Sequence, residues 1–438
     1  VLYHHITELI GNTPLLLIDP TKHQLANVEL YAKLELYNPF GSVKDRIAWG
    51  ILRDHMEQIV EQQQTIIEFS SGNTGKALAV LAALYGLHYE TITNRIKVPE
   101  VHDILKALGA SVEILPGTSE CPDPNDPNDP LAYLEQKIHA HPGHYFHTDQ
   151  YRNAKNYQTH YERTAQEIYA DIGPVDYFYG GLGTAGSTRG VSMFLREKNA
   201  RLCAIGVVTA KGDVIPGLRN IDEMAEVGIF DRQLYQEILA IDAQDALTGM
   251  FALIRQSGIL GGPSSGAVYY ALIQHLQQHS LHWQRPMKVV FIVCDRMEWY
   301  LSYIQKRRPE IFQEKTADHS IWKLKAEDVQ HAPTLQPEQA ERFIEEEAPL
   351  IVDVRGTLAY QIGHLPDAIN IPDDKLADIV NFGIPFPHER PLLFVCPKGD
   401  ISKKFAFFLC QKGYRAYSLD GGIIQWRQEK RTLLRSPA

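Results

Sequence analysis

The sequence predicts an α/β protein made of two modules. Three observations predict it. Strand-like and helix-like segments alternate from the N-terminus to about residue 310, as a largely parallel sheet requires. Periodicity then fades across 307–336, where charges mix with prolines. A second, shorter alternation follows. A chain of 438 residues has room for this division, and 44% hydrophobic with 22% charged residues is ordinary globular composition.

In order, 30–36 reads as a strand, and Asn38-Pro39-Phe40-Gly41 as the turn that ends it. Ser42 can cap a helix over 43–56. Residues 66–69 read as a strand and 74–85 as a helix, then 98–108 as a helix and 111–115 as a strand. The run Cys121-Pro-Asp-Pro-Asn-Asp-Pro-Asn-Asp-Pro130 is too proline-rich for an element and reads as a solvated loop. Strands at 175–179, 202–208 and 288–293 alternate with helices at 185–198, 243–257 and 264–279. In the second module, 337–346 and 402–412 read as helices, and 349–354 and 391–395 as strands.

Bulk numbers exclude some classes. A net charge of −10 argues against a nucleic-acid partner, which calls for a basic face. No apolar run reaches membrane-span length. The five cysteines are scattered without a C-x-x-C pair, so neither zinc nor a disulfide framework is indicated, and a reducing compartment is the simpler expectation. The start, Val-Leu-Tyr-His-His, has no signal-peptide pattern and no initiator Met, which leaves a removed leader open.

Candidate chemistry clusters at turns between strands and helices. Lys44 falls in a helix's first turn, where the dipole disfavours a cation by roughly 0.3–1 kcal/mol. A lysine that must be an uncharged amine gains there; amine lysines form Schiff bases with pyridoxal phosphate. A plain exposed helix lysine is the alternative. Ser70-Ser71-Gly72-Asn73-Thr74-Gly75 offers hydroxyls and backbone N–H groups to a carboxylate, and Asn73 a donor to a phenolate. Gly180-Gly181-Leu182-Gly183-Thr184-Ala185-Gly186-Ser187 reads as a phosphate cradle. It also matches G-x-G-x-x-G, but no acid ends the next strand as a dinucleotide site would need. Two further turns hold Ser264 and the single cation Arg219.

Five ordered motifs then carry a resemblance: Asn38-Pro39 to Lys44-Asp45-Arg46, Ser71 to Gly75, Asp149 to Asn153, Gly183 to Ser187, and Pro263 to Ala267. With Ile6 to Pro14 they make the first module resemble the cysteine synthase / cystathionine β-synthase family of fold-type II PLP enzymes, whose fold has two α/β subdomains. The resemblance implies a Schiff-base role for Lys44 and pyridoxal 5'-phosphate as cofactor. It implies that Asn73 meets the cofactor's 3′-oxygen, that Gly183, Thr184, Ala185, Gly186 and Ser187 hold its phosphate, and that Ser264 faces its pyridine nitrogen. Ser70, Ser71, Thr74 and Gln150 would grip a substrate carboxylate. Relatives usually have Gly where Ala185 stands, and the 91–101 segment departs from theirs. The Ile215-Pro-Gly-Leu-Arg219 turn resembles the subgroup that uses O-phosphoserine, with Arg219 on the donor phosphate.

Residues 336–430 resemble a rhodanese domain through Asp353-Val-Arg355, Gly363-His-Leu-Pro366, Cys396-Pro-Lys-Gly-Asp-Ile-Ser402 and Gly421-Gly422 to Trp426. The resemblance implies that Cys396 carries sulfane sulfur as a persulfide; relatives place arginines where Pro397 and Ile401 stand. A buried structural cysteine is the alternative. The expected organisation is 1–310 PLP domain, 311–335 linker and 336–438 a small α/β rhodanese-like domain. The expected activity is β-replacement on O-acetylserine or O-phosphoserine, with sulfide or Cys396-borne sulfur, giving L-cysteine. The alternative is a cystathionine or 2,3-diaminopropionate synthase with a regulatory or docking C-terminal domain. The resemblance further implies small-molecule partners, a homodimer and a cytoplasmic location.

Overall fold

The computed structural model describes residues 2–70, 72–93, 98–116, 129–312, 321, 324 and 326–435. The chain divides into two compact units, 1–310 and 311–438.

The first unit holds two sheets. The larger has six strands in the spatial order Leu15–Leu17, Val28–Leu34, Met287–Val293, Tyr177–Gly181, Cys203–Thr209 and Glu237–Ile241. Only the first pairing is antiparallel; the others are parallel. The smaller sheet is wholly parallel, in the order Ser111–Ile114, Tyr89–Thr93, Thr65–Phe69 and Tyr145–His147. Parallel strands are covered on both faces, so they read as continuous apolar runs. Val289, Val290, Phe291, Ile292 and Val293 are all buried, each contributing roughly 1.5–3 kcal/mol.

In the first unit the sequence missed four strands: Leu15–Leu17, Tyr89–Thr93, Tyr145–His147 and Glu237–Ile241. Three of them lie at sheet edges, where an apolar run is not required. The fourth buries Thr91, whose hydroxyl donates to the Ser70 carbonyl at 2.6 Å and so meets the cost of a polar interior position. The expected helix over 43–56 is two helices, Lys44–Leu52 and Met56–Glu61. The first helix has Val43 and not Ser42 as its N-cap, although the Ser42 Oγ accepts from the Lys44 N–H at 3.2 Å.

The second unit has a five-stranded, all-parallel sheet in the order Thr334–Leu335, Ala416–Leu419, Leu392–Val395, Leu350–Asp353 and Ile369–Asn370. Thr334–Leu335 and the buried Ile321 both fall within the span expected as linker; the first adds a strand and the second shares a core with Val352 and Phe394. Residues 313–320 of that span lie outside the described residues. No helix among the described residues is long and apolar enough to cross a membrane.

Candidate active site

Lys44, Ser70, Asn73, Thr74, Gln150, Gly183 and Thr184 follow parallel strands on the side of their carboxyl ends, where ligands of such sheets bind, whereas Ser264 opens a helix that follows another helix. Lys44 opens the helix Lys44–Leu52 after the turn that follows Val28–Leu34. Gly41 in that turn has φ +84°, and a Cβ there would stand 2.5 Å from the Trp299 ring. Two residues past Lys44, Arg46 anchors the helix. Its guanidinium donates to Glu35 at 2.6 and 2.8 Å, to Glu167 at 2.7 Å and to Thr13 at 3.2 Å. Arg46 and Glu35 are fully buried, so removing one partner would cost about 3–5 kcal/mol. That explains the Lys-Asp-Arg run: the arginine fixes the frame from which the lysine projects.

Lys44 Nζ donates to Thr184 Oγ1 at 3.3 Å. Burial pulls its ammonium below the ordinary 10.5, against the opposing pull of Cys294 and Asp295. The sequence assigned this effect to the helix terminus; burial is the larger cause.

The glycine turn after Tyr177–Gly181 leads into the helix Gly186–Lys198. A Cβ on Gly183 would lie 2.5 Å from the Gly217 carbonyl, and one on Gly186 would lie 1.9 Å from Asn156 Oδ1. Ala185 takes φ +60° at the helix N-cap, a conformation that favours glycine. Thr184 Oγ1 also accepts from Asn156 Nδ2 at 3.1 Å. Ser187 lies in the helix's first turn, half-buried.

Opposite the glycine turn, Ser70 Oγ accepts from the Gly75 N–H at 3.0 Å, and Thr74 donates to Gln150 Oε1 at 2.7 Å. Gln150 Nε2 donates to the Phe69 carbonyl at 2.9 Å. Ser71 lies outside the described residues, as do 94–97 of the divergent segment and 121–128 of the proline-rich loop, whose last two residues, Asp129 and Pro130, cap and open the helix Pro130–Ala140. Arg219 donates to Glu226 at 3.0 Å and to the Glu223 carbonyl at 3.2 Å, with its guanidinium carbon 4.9 Å from the centre of the Tyr151 ring. Ser264 is buried beside Gly217. A cavity of about 160 Å³ joins these parts: Lys44, Ser70, Asn73, Thr74, Gln150, Gly183, Thr184 and Arg219 line it. Ala185, Gly186, Ser187 and Ser264 fall outside its lining.

In the second unit, Cys396 follows Leu392–Val395 and precedes the helix Asp400–Gln411. Its sulfur accepts from the Gly399 N–H at 3.1 Å and from Ser402 Oγ at 3.2 Å. The residue is 1% exposed. A Cβ on Gly422 would stand 2.2 Å from the Cys396 carbonyl, so that glycine lets the last helix close over the loop. Arg355 pairs with Asp353 through Nε and NH2 and also bonds the Gly363 carbonyl at 2.6 Å.

Residues 6–295 match the family model described as pyridoxal-phosphate dependent enzyme. The chain belongs to that family. Residues 336–429 match the rhodanese-like domain. The chain is 31% identical over 303 residues to a cysteine synthase of Aquifex aeolicus, covering 68% of this chain and 90% of that protein. It is 31% identical over 326 residues to a cystathionine beta-synthase of Saccharomyces cerevisiae, covering 68% of this chain and 62% of that protein. Among solved structures, a hydrogen sulfide-producing enzyme from Fusobacterium nucleatum matches with TM-score 0.61 and 30% identity, over 69% of this chain and 99% of that one.

Pyridoxal phosphate fits the residues present. Gly183 and Gly186 let the Gly217 carbonyl and Asn156 pack against the turn at 183–186, and the Asn73 and Asn156 Oδ1 atoms are buried without a partner. Three residues escaped the sequence reading. Asp295 accepts from Asn73 Nδ2 at 2.6 Å, and Tyr300 donates to the same carboxyl oxygen. Glu68 holds the Gln150 N–H at 3.1 Å, and burial lifts its carboxyl from 4.5 to about 7. An acid directly past a buried strand, as Asp295 is past Met287–Val293, was the available signal.

Proposed function

We propose that the first unit performs β-replacement on an activated serine, O-acetylserine or O-phosphoserine, and yields L-cysteine. One observation carries this reading: the Lys44 amine lies within 3.3 Å of Thr184, in the wall of a cavity that also holds the glycine turn. The chemistry supplied by bound pyridoxal phosphate is electron withdrawal from the substrate's Cα. Lys44 takes the Cα proton as a general base, which its buried, lowered ammonium suits. Gly183, Thr184, Ala185, Gly186 and Ser187 hold the phosphate, and Asn73 faces the 3′-oxygen. Ser264, a neutral hydroxyl, faces the pyridine nitrogen and leaves it a weak electron sink, so loss of the β-substituent outruns other fates. Ser70, Ser71, Thr74 and Gln150 hold the substrate carboxylate. Arg219 is already engaged by Glu226; a phosphate leaving group must displace that carboxylate, whereas an acetyl group need not.

Sulfur arrives as sulfide or through Cys396. The Cys396 thiolate takes the outer sulfur of thiosulfate, releases sulfite and becomes a persulfide. An added thiol supplies the two electrons that free this sulfur as sulfide. The enzyme works as a cytoplasmic homodimer, as the resemblance implies.

A second reading has one observation in its favour. Cys396 is 1% exposed, which suits a docking or regulatory second unit, with homocysteine or an amine as the nucleophile of the first. Product analysis by mass spectrometry tests both. The protein is given each activated serine with sulfide, homocysteine or ammonia in turn. Cysteine as the dominant product is expected; cystathionine or 2,3-diaminopropionate in its place would overturn the proposal.

A further inference from the structure

Asn73 was expected to donate a hydrogen bond to the cofactor's 3′-oxygen, yet its N–H groups are taken. Nδ2 donates to Asp295 Oδ2 at 2.6 Å and to the Tyr300 hydroxyl at 3.2 Å. Tyr300 donates to the same Asp295 oxygen. The Asn73 atom left for a ligand is Oδ1, an acceptor, buried without a partner; Asp295 Oδ1 is equally alone. The acid is 1% exposed, in a seat made for it. A Cβ on Gly262 would lie 2.2 Å from Asp295 Oδ1 and 2.9 Å from the Tyr300 ring.

An asparagine amide presents nearly the same shape either way round, and its partners decide which end faces which neighbour. A carboxylate can only accept, so it draws the N–H groups toward itself. A carboxylic acid carries one O–H and can donate it to the amide oxygen, which turns the N–H groups outward. We propose that Asp295 is a positioning residue that acts through Asn73: ionised, it presents an acceptor to the cofactor's 3′-oxygen, and protonated, it presents a donor. This rests on the reading that Asn73 faces that oxygen. With the cofactor bound, the acceptor of the first state would favour a protonated 3′-oxygen. In the second, Asp295 would have bound one proton from solvent, and the donor turned outward would favour an unprotonated 3′-oxygen.

The surroundings support a protonated state within reach. Burial raises the Asp295 carboxyl above the ordinary 3.8, while Tyr300, Asn73, Lys76 and Lys44 pull it down. Cys294 adjoins it, burial lifting that thiol to about 12, so the thiol stays neutral. Lys76, from the helix Asn73–Leu84, stands on the Trp299 ring, with Asp45, Asp295 and Arg296 acting on its charge. Burial lowers Lys76 and raises Asp45, so this pair is the competing titration that the test must separate.

The experiment follows the cofactor's absorption across pH in the full-length protein loaded with pyridoxal phosphate, in wild type, Asp295→Asn and Tyr300→Phe. The long-wavelength band reports the 3′-oxyanion and the short-wavelength band the 3′-hydroxyl. In wild type the ratio of long to short should fall as pH rises. In Asp295→Asn, whose side chain cannot titrate, that transition should vanish. In Tyr300→Phe it should move to higher pH, because the lost hydroxyl no longer favours the carboxylate. Should Asp295→Asn fail to fold, the Tyr300→Phe shift carries the test alone. A wild-type ratio flat with pH, the same transition in Asp295→Asn, or no upward shift in Tyr300→Phe would each overturn the proposal. Borohydride reduction of a separate, untitrated sample shows whether the cofactor is linked at all. A linked but pH-invariant chromophore sinks this inference alone, whereas no linkage sinks the underlying reading with it.

Discussion

Lys44 and Cys396 occupy the same kind of place and are equipped differently. Each follows a buried parallel strand and stands at the start of a helix. Around Lys44 the fold leaves space: a cavity of about 160 Å³, and buried amide oxygens without partners. Around Cys396 it leaves almost none: the thiol is 1% exposed and its sulfur already accepts from Gly399 and Ser402. The difference teaches that a reactive residue on a strand-to-helix turn marks a position, while unfilled space and unspent hydrogen-bonding capacity mark a site.

The largest expected effect breaks the first half of that comparison. Lys44→Ala should abolish the long-wavelength absorption of the loaded protein. With the general base gone, turnover should fall by at least about 10²-fold. An unchanged spectrum would remove Lys44 from the site. Next, Cys396→Ser tests the second half. Product formed from thiosulfate plus a thiol should be lost, and product formed from sulfide spared. Equal survival of both would show that the closed loop donates no sulfur.

What could be read in the sequence divides along the same line. Lys44, the 183–187 turn, Ser264 and Cys396 sit in short contiguous patterns whose chemistry is local, and each was legible. Asn73 was legible as a residue but not as a partner: its acid, Asp295, lies 222 positions away, and no local pattern joins them. Glu68 read as an ordinary strand residue because only folding buries it and brings Thr148 and Gln150 to its carboxylate. Edge strands such as Glu237–Ile241 lacked the apolar continuity that made Met287–Val293 plain.

Glu68 sharpens the role of burial in the first site. Its folded-state carboxyl titrates near 7 against an ordinary 4.5. The native state therefore keeps a proton that the unfolded chain has lost, so this contribution is full below about 4.5 and lost as pH rises to about 7. By linkage the loss amounts to as much as about 3 kcal/mol. Glu68→Gln should gain stability relative to wild type between pH 4.5 and 8 in urea unfolding; a difference constant with pH would contradict the burial argument. The smallest effect belongs to Ala185, held at φ +60°. Ala185→Gly should stabilise the protein by about 1 kcal/mol, the cost of that conformation for a residue with a Cβ. A lowered melting temperature would show that the turn is unstrained.

The most direct test of the central claim is chemical. Among the described residues of the first unit, burial leaves two lysine ammonium groups below the ordinary 10.5, Lys44 at the glycine turn and Lys76 on the Trp299 ring. The protein loaded with pyridoxal phosphate is reduced with borohydride, digested and sequenced by mass spectrometry. The geometry predicts the pyridoxyl group on Lys44 alone; its appearance on Lys76, or on neither, would contradict it.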